Sequence, residues 1–228
     1  MQMKNRSVEK LVEEQLQKWN LRGTERKKRS ITPGASITVS REPGCGGTTI
    51  AKRLSQELAM DLFGGHIIQK VAESVEMSTK VIQSLDEKEM TKRDDWLTSL
   101  FETRHLWPDR YLHHLTKVIG TIGRYGNAVI LGRGANYILP RETTFRVRIV
   151  APMEVKVKHV MRSTRDEAEK YVLKTEAERR AFIRQYFHTD LTDIEHYDMV
   201  INMEKISIDG AVEGIKCAFL AWKAAVKI

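Results

Sequence analysis

Cysteine and long apolar runs are scarce in this chain, and each scarcity closes off a class of protein. Two cysteines in 228 residues, Cys45 and Cys217, cannot build a disulfide framework and suit a reducing compartment. No apolar run approaches the ~18 residues that cross a bilayer, and the polar N-terminus has no signal-peptide core, so the chain is expected in the cytoplasm, off the membrane. There is no CxxC, HExxH or Gly-x-Ser-x-Gly, and His113 and His114 have no partners at metal-ligand spacing. No tandem repeat is evident. Positive charge, by contrast, is in surplus: 38 Lys and Arg against 30 Asp and Glu give +8 at neutral pH. That charge attracts polyanions without choosing between nucleotides and nucleic acid.

The stretch from Ser36 to Ala59 carries the most information. Ile37 and Val39 alternate with Thr38 and Ser40 as on a short strand, Gly44, Gly46 and Gly47 follow, and Thr48 opens an amphipathic helix with Ile50, Leu54 and Leu58 on one face. Glycines let the backbone come close to a ligand, and the free N–H groups at the start of a helix favour an anion, so a phosphate is the natural occupant. The phosphate-loop pattern G-x-x-x-x-G-K-[ST] is met only in part, with Gly46 on the second glycine, Gly47 on the lysine and Arg41 on the first glycine. Arg41 is the nearest cation that could replace the lysine. The alternative is a glycine turn with no ligand.

Several segments carry a family resemblance: SREPGCGGTTIAKRL from Ser40, VILGRGANYIL from Val129, FRVRIVAP from Phe145, ERRAFIRQYF from Glu178 and YDMVINMEKIS from Tyr197. In this order and spacing, over about residues 36 to 225, the chain resembles the cytidylate kinase-like family, a divergent branch of the P-loop nucleoside monophosphate kinases. The resemblance implies a five-stranded parallel sheet, a helical acceptor-binding insertion over about 63–111 and an arginine lid over about 162–190. It implies ATP and Mg²⁺ as cofactors and a nucleoside monophosphate as acceptor, with Arg133 matching an arginine that holds the acceptor. Leu131 and Gly134 stand where ordinary cytidylate kinases have aspartates. Arg162, Arg179, Arg180 and Arg184 fall where the lid arginines fall, and Ala181 takes the place of an aspartate among them.

Read along the chain, residues 1–35 form an extension ahead of a kinase-like domain over 36–228. Val8, Leu11, Val12, Leu16 and Trp19 recur at helical spacing behind the N-cap Ser7, so an amphipathic helix is expected, and it must dock on something. A homodimer contact is one answer. The basic run Arg22 to Arg29 is a solvated linker or a phosphate-backbone contact. Asp61 to Gly65 reads as a turn, and two helices are expected to part near Met77 and Ser78. Arg93, Arg104 and Arg110, interleaved with Trp96, Phe101, His105, Trp107 and Tyr111, either hold an acceptor phosphate and stack on its base or belong to the core.

Pro108 starts a helix with Leu112, Leu115, Val118, Ile119 and Ile122 inward; the apolar run Ala128 to Leu131 then reads as a buried parallel strand that delivers Arg133 to the edge bearing the phosphate loop. On the helix from Glu167 to Phe187, Arg179 bridges a gap in the apolar stripe, where a cation needs an anionic partner. The alternative is an exposed helix whose arginines pair with Glu176 and Glu178. Asp190, Asp193 and Asp198 are better placed as caps than as metal ligands.

Strand and helix alternate, so the fold class expected is α/β with a parallel sheet flanked by helices. The function expected is ATP-dependent phosphoryl transfer to a nucleoside monophosphate. The backbone of Gly44, Cys45, Gly46, Gly47, Thr48 and Thr49 would cradle phosphates, the Thr48 hydroxyl would hold Mg²⁺, and Arg41 with the lid arginines would supply charge. Two other readings remain open. A weak or silent nucleotide-binding regulator would explain the missing lysine and aspartates, and a nucleic-acid-binding protein would explain the net charge.

Overall fold

A computed structural model describes residues 8–29, 34–83 and 110–226, with only the backbone described over 20–29. The chain divides into two compact units, Met1–Gly34 with Gly65–Gly126, and Ala35–Gly64 with Asn127–Ile228. The first is helical. α1 (Val8–Arg29), α3 (Gly65–Glu73), α4 (Val75–Gln83) and α5 (Arg110–Tyr125) make it up, α2 belonging to the second unit. α5 buries the five apolar residues that its periodicity singles out, Leu112, Leu115, Val118, Ile119 and Ile122. On α1, Val12 is buried and Trp19 stacks on Tyr125 with ring centroids 4.4 Å apart. Two residues of the apolar stripe that prompted the dimer reading, Val12 and Trp19, are therefore buried within this chain. The break between α3 and α4 falls at Ser74, earlier than Met77 and Ser78, because the Ser74 hydroxyl accepts the Met77 N–H at 3.3 Å and so caps the second helix. Arg93 and Arg104, with Trp96, Phe101, His105, Trp107 and Pro108, lie outside the described residues, and of Arg110 only the backbone is described.

The second unit is built on a parallel sheet of β1 (Ser36–Arg41), β2 (Asp61–Gly64), β3 (Ala128–Leu131), β4 (Thr144–Val150) and β5 (Met199–Asn202), in the order β2-β3-β1-β4-β5. Every pairing is parallel, with Ile37 opposite both Val129 and Phe145. Its helices are α2 (Gly47–Glu57), α6 (Ala135–Ile138), α7 (Met153–Val160), α8 (Arg165–Phe187) and α9 (Ile208–Ala225). The segment Asp61–Gly64, expected as a turn, is instead the edge strand β2, held by its ladder to Ala128–Leu131. Four residues ending in glycine carry no strand periodicity of their own, so the neighbouring strand decides their conformation.

The two faces of the sheet differ. Ile37, Val39, Phe145, Val147 and Ile149 form one core with Ile50, Leu54, Val212, Ile215 and Phe219 of α2 and α9. The opposite positions of β1 and β4, Ser36, Thr38, Ser40, Arg146 and Arg148, are equally buried but polar. Arg146 is satisfied by Asp198 through Nη2 at 2.7 Å and Nε at 3.1 Å. The alternation in the sequence thus marks two buried faces of unlike chemistry.

Candidate functional site: an arginine cluster over a glycine loop

All groups below belong to the second unit. Strand β1 sits at the centre of the sheet, so its C-terminal end opens where strand order reverses, the place at which parallel sheets present ligands. The chain leaves it at Arg41 and starts α2 at Gly47, after Gly46 in a left-handed conformation at φ 82° that an L side chain resists. Gly46 supplies no side chain to cap the helix, so the first N–H groups of α2 remain available for an anion, with Thr48 and Thr49 exposed in the same turn.

The loop is braced from behind. Glu42 accepts the Ala151 N–H and a Lys156 N–H, both at 3.1 Å, and His159 donates a ring N–H to the Gly44 carbonyl at 2.8 Å. Cys45 is fully buried and its thiol faces the Ile149 carbonyl at 3.4 Å. Burial pushes this thiol's pKa up, so the lowering that a helix N-terminus would bring is overridden. Cys45 fills the turn.

Arg41 explains the glycine that stands for lysine. A Cβ on Gly47 would lie 2.7 Å from the Arg41 Cβ and 3.0 Å from its Cγ, and a Cβ on Gly132 would overlap Arg41 Nη1. Two bare glycines therefore make room for one arginine, whose guanidinium reaches from the phosphate loop to the turn after β3. In that turn Gly132, Arg133 and Gly134 are all left-handed, with Arg133 at φ 56°, a conformation that costs a non-glycine residue about 1 kcal/mol or more. Burial, with the adjacent Arg179 and Arg133 charges, lowers the Arg41 pKa to about 10. Arg179 is lowered too, by burial first, and its Nη1 donates to the Arg41 carbonyl at 2.7 Å. Among the described residues no carboxylate pairs with Arg41 or Arg179. Like charges held together in a partly buried place, where Glu176 is the carboxylate whose charge reaches Arg179, form a cluster that an anion would stabilise.

The other sequence-derived candidates are placed differently. Arg180 is exposed and donates to Glu176 at 2.9 Å, which is the paired arrangement weighed as the alternative for this helix. Arg184 is exposed near Asp190, and Arg162 is exposed on the segment joining α7 to α8. Asp190 accepts from the Thr192 backbone, Asp193 caps the short turn Ile194–His196, and Asp198 holds Arg146. Among the described residues no three His, Cys, Asp or Glu side chains are grouped to hold a metal. The Thr48 hydroxyl at the mouth of the loop fits a Mg²⁺ ion whose other ligands are phosphate oxygens and water. Glu42 and Lys156 were not singled out from the sequence, because Glu42 takes a variable position of the loop pattern, Lys156 lies in no motif, and their pairing joins residues 114 positions apart.

Comparison with known proteins gives the family and the fold. The profile of the cytidylate kinase-like family matches residues 36–205. A cytidylate kinase of Ignicoccus hospitalis is 25% identical over 184 residues, covering 79% of this chain and 96% of that protein. One of Methanocaldococcus jannaschii is 24% identical over 189 residues, covering 80% and 96%. Among solved structures, an uncharacterized protein from Eubacterium ventriosum superimposes with a TM-score of 0.63 at 20% identity, over 82% of this chain and 98% of its own.

Proposed function

Since the chain belongs to the cytidylate kinase-like family, we propose that it is an ATP- and Mg²⁺-dependent kinase acting on a nucleoside monophosphate, with cytidylate as the leading acceptor. The observation that carries this reading is the mutual approach of Arg41, Arg133 and Arg179, with the Arg41 stem packed against Gly47 at the uncapped start of α2. Phosphoryl transfer asks a protein mainly to position reactants and to neutralise charge on the transferring group, and three cations around a ring of backbone N–H groups do both. Arg41 takes the part of the missing lysine and enters from the strand end of the loop. Arg133 holds the acceptor phosphate, Arg179 bridges donor and acceptor, and Gly44 to Thr48 cradle the donor phosphates. Arg180 and Arg184 on the exposed side of α8, with Arg162 on the segment before it, draw in the nucleotide. An acceptor phosphate needs little help from a general base, so the absence of a histidine or aspartate base does not count against the reaction.

Calorimetric titration with Mg-ATP, followed by ADP release across a panel of ribo- and deoxyribonucleoside monophosphates, tests this. Turnover with one pyrimidine monophosphate above the others is the expected result. Binding of ATP without release on any acceptor would instead assign a regulator. Steeply salt-dependent RNA or DNA binding that disappears on removing residues 1–33 would assign a nucleic-acid-binding protein.

A further inference from the structure

Glu42, Lys156 and Glu176 form a continuous ionic bridge from the phosphate loop to α8, and no step of the proposed transfer uses it. Lys156 is buried, and its Nζ donates to Glu42 Oε2 at 3.1 Å and to Glu176 Oε2 at 3.2 Å. Each carboxylate has further partners: Glu42 has the Ala151 N–H and Arg148 Nη2 at 3.6 Å, and Glu176 has Arg180 at 2.9 Å. What Lys156 alone supplies is the link. Burial by itself would raise the Glu176 carboxyl, but the hydrogen bonds from Arg180 and Lys156 outweigh it and hold the group below its ordinary range. Glu176 and Arg179 share a face of α8, one turn apart. The bridge therefore fixes the helix rotation that brings Arg179 Nη1 to the Arg41 carbonyl.

Charge opposes that contact. Arg41, Arg133 and Arg179 repel one another, and partial burial keeps salt and water from screening the repulsion until an anion lies among them. We propose that Lys156 is an ionic clamp that holds α8 against the phosphate loop in the ligand-free protein, so that the incoming anion meets a finished site. This rests on the phosphate-site reading above. Lys156 is a positioning residue in this role. It sets the population of binding-competent protein, so its loss weakens apparent affinity by the fraction left closed and spares turnover of the loaded protein.

The experiment compares wild type with Lys156→Met, Lys156→Arg and Glu176→Gln, reading amide hydrogen exchange along α8, the calorimetric Kd for Mg-ATP, and kcat. In Lys156→Met, exchange over residues 172–183 rises about ten-fold without ligand and returns to near the wild-type value at saturating Mg-ATP, while Kd rises about ten-fold and kcat changes less than about three-fold. Lys156→Arg restores protection and affinity. Glu176→Gln cuts the same link at its outer end, leaves the Glu42–Lys156 pair in place and gives a smaller shift in the same direction, so the test survives a Lys156→Met variant that does not fold. Unchanged α8 exchange, or a fall in kcat at unchanged Kd, overturns the clamp. If wild type binds no Mg-ATP, the kinase reading fails, and ligand-free α8 exchange still decides the clamp.

Discussion

Two groups of arginines in one unit of this protein, one buried and one half-buried, show opposite solutions to the same problem. On β4, Arg146 lies against Asp198 in a two-pronged pair, and Arg148 reaches Glu42, the Ser40 hydroxyl and the face of Tyr197. At the end of β1, Arg41 and Arg179 lie against each other and Arg133, and Arg179 donates to the Arg41 backbone carbonyl. A buried cation with its own carboxylate stiffens the fold. A half-buried cation beside other cations is held at a cost to folding that a bound anion would remove, which is the property asked of an anion site. For Arg41 the sign is clear: burial disfavours its protonated form, so the cost is fully present at neutral pH and eases only above about pH 10.

Breaking the cluster at the end of β1 has the largest expected effect on function. Arg41→Met lowers phosphoryl transfer by about 10³-fold, the scale of a charge-stabilising arginine, while raising the ligand-free melting temperature by about 2–4 °C as the repulsion is relieved. ADP release and thermal unfolding read the two halves of that prediction; a lower melting temperature would mean that the cluster is structural. The same comparison is sharpened by an exchange of sites. Gly47→Lys alone collides with the Arg41 stem and loses activity, whereas the double change Arg41→Gly with Gly47→Lys recovers turnover to within about ten-fold of wild type.

Breaking the paired group acts on stability instead. Arg146→Met leaves Asp198 without its partner and lowers the unfolding free energy by about 3 kcal/mol in denaturant titration, with no gain from added nucleotide beyond that of wild type. Along α8 the effects are smaller and graded by burial. Arg179→Met costs about 10²-fold in turnover and Arg184→Ala, on the exposed side, somewhat more than ten-fold. Equal losses at the two positions would erase the distinction between inner and outer arginines. The smallest effect is at the thiols: iodoacetamide at pH 8 modifies the exposed Cys217 and spares Cys45, which mass spectrometry resolves.

Local pattern made much of the architecture legible. The β1 alternation, the apolar run of β3, the stripe of α5 and the inward position of Arg179 are all properties of neighbours a few residues apart, and the structure reproduces each. β2 escaped because its conformation comes from the ladder with β3, and the α3–α4 boundary shifted because one serine hydroxyl caps a helix. The reason for Gly47 was equally out of reach, since it depends on a side chain six positions away folding back over the loop.

By itself, then, the order of residues determined an α/β chain with a phosphate loop, an arginine after β3 and a cationic helix, because periodicity, glycine and helix starts are short-range physics. Which arginines are paired and which are left facing one another was decided only by the tertiary structure. Sequence gives every cation the same charge; burial and the distance to the nearest carboxylate, set by strands and helices far apart in the chain, decide whether that charge holds the protein together or waits for a ligand.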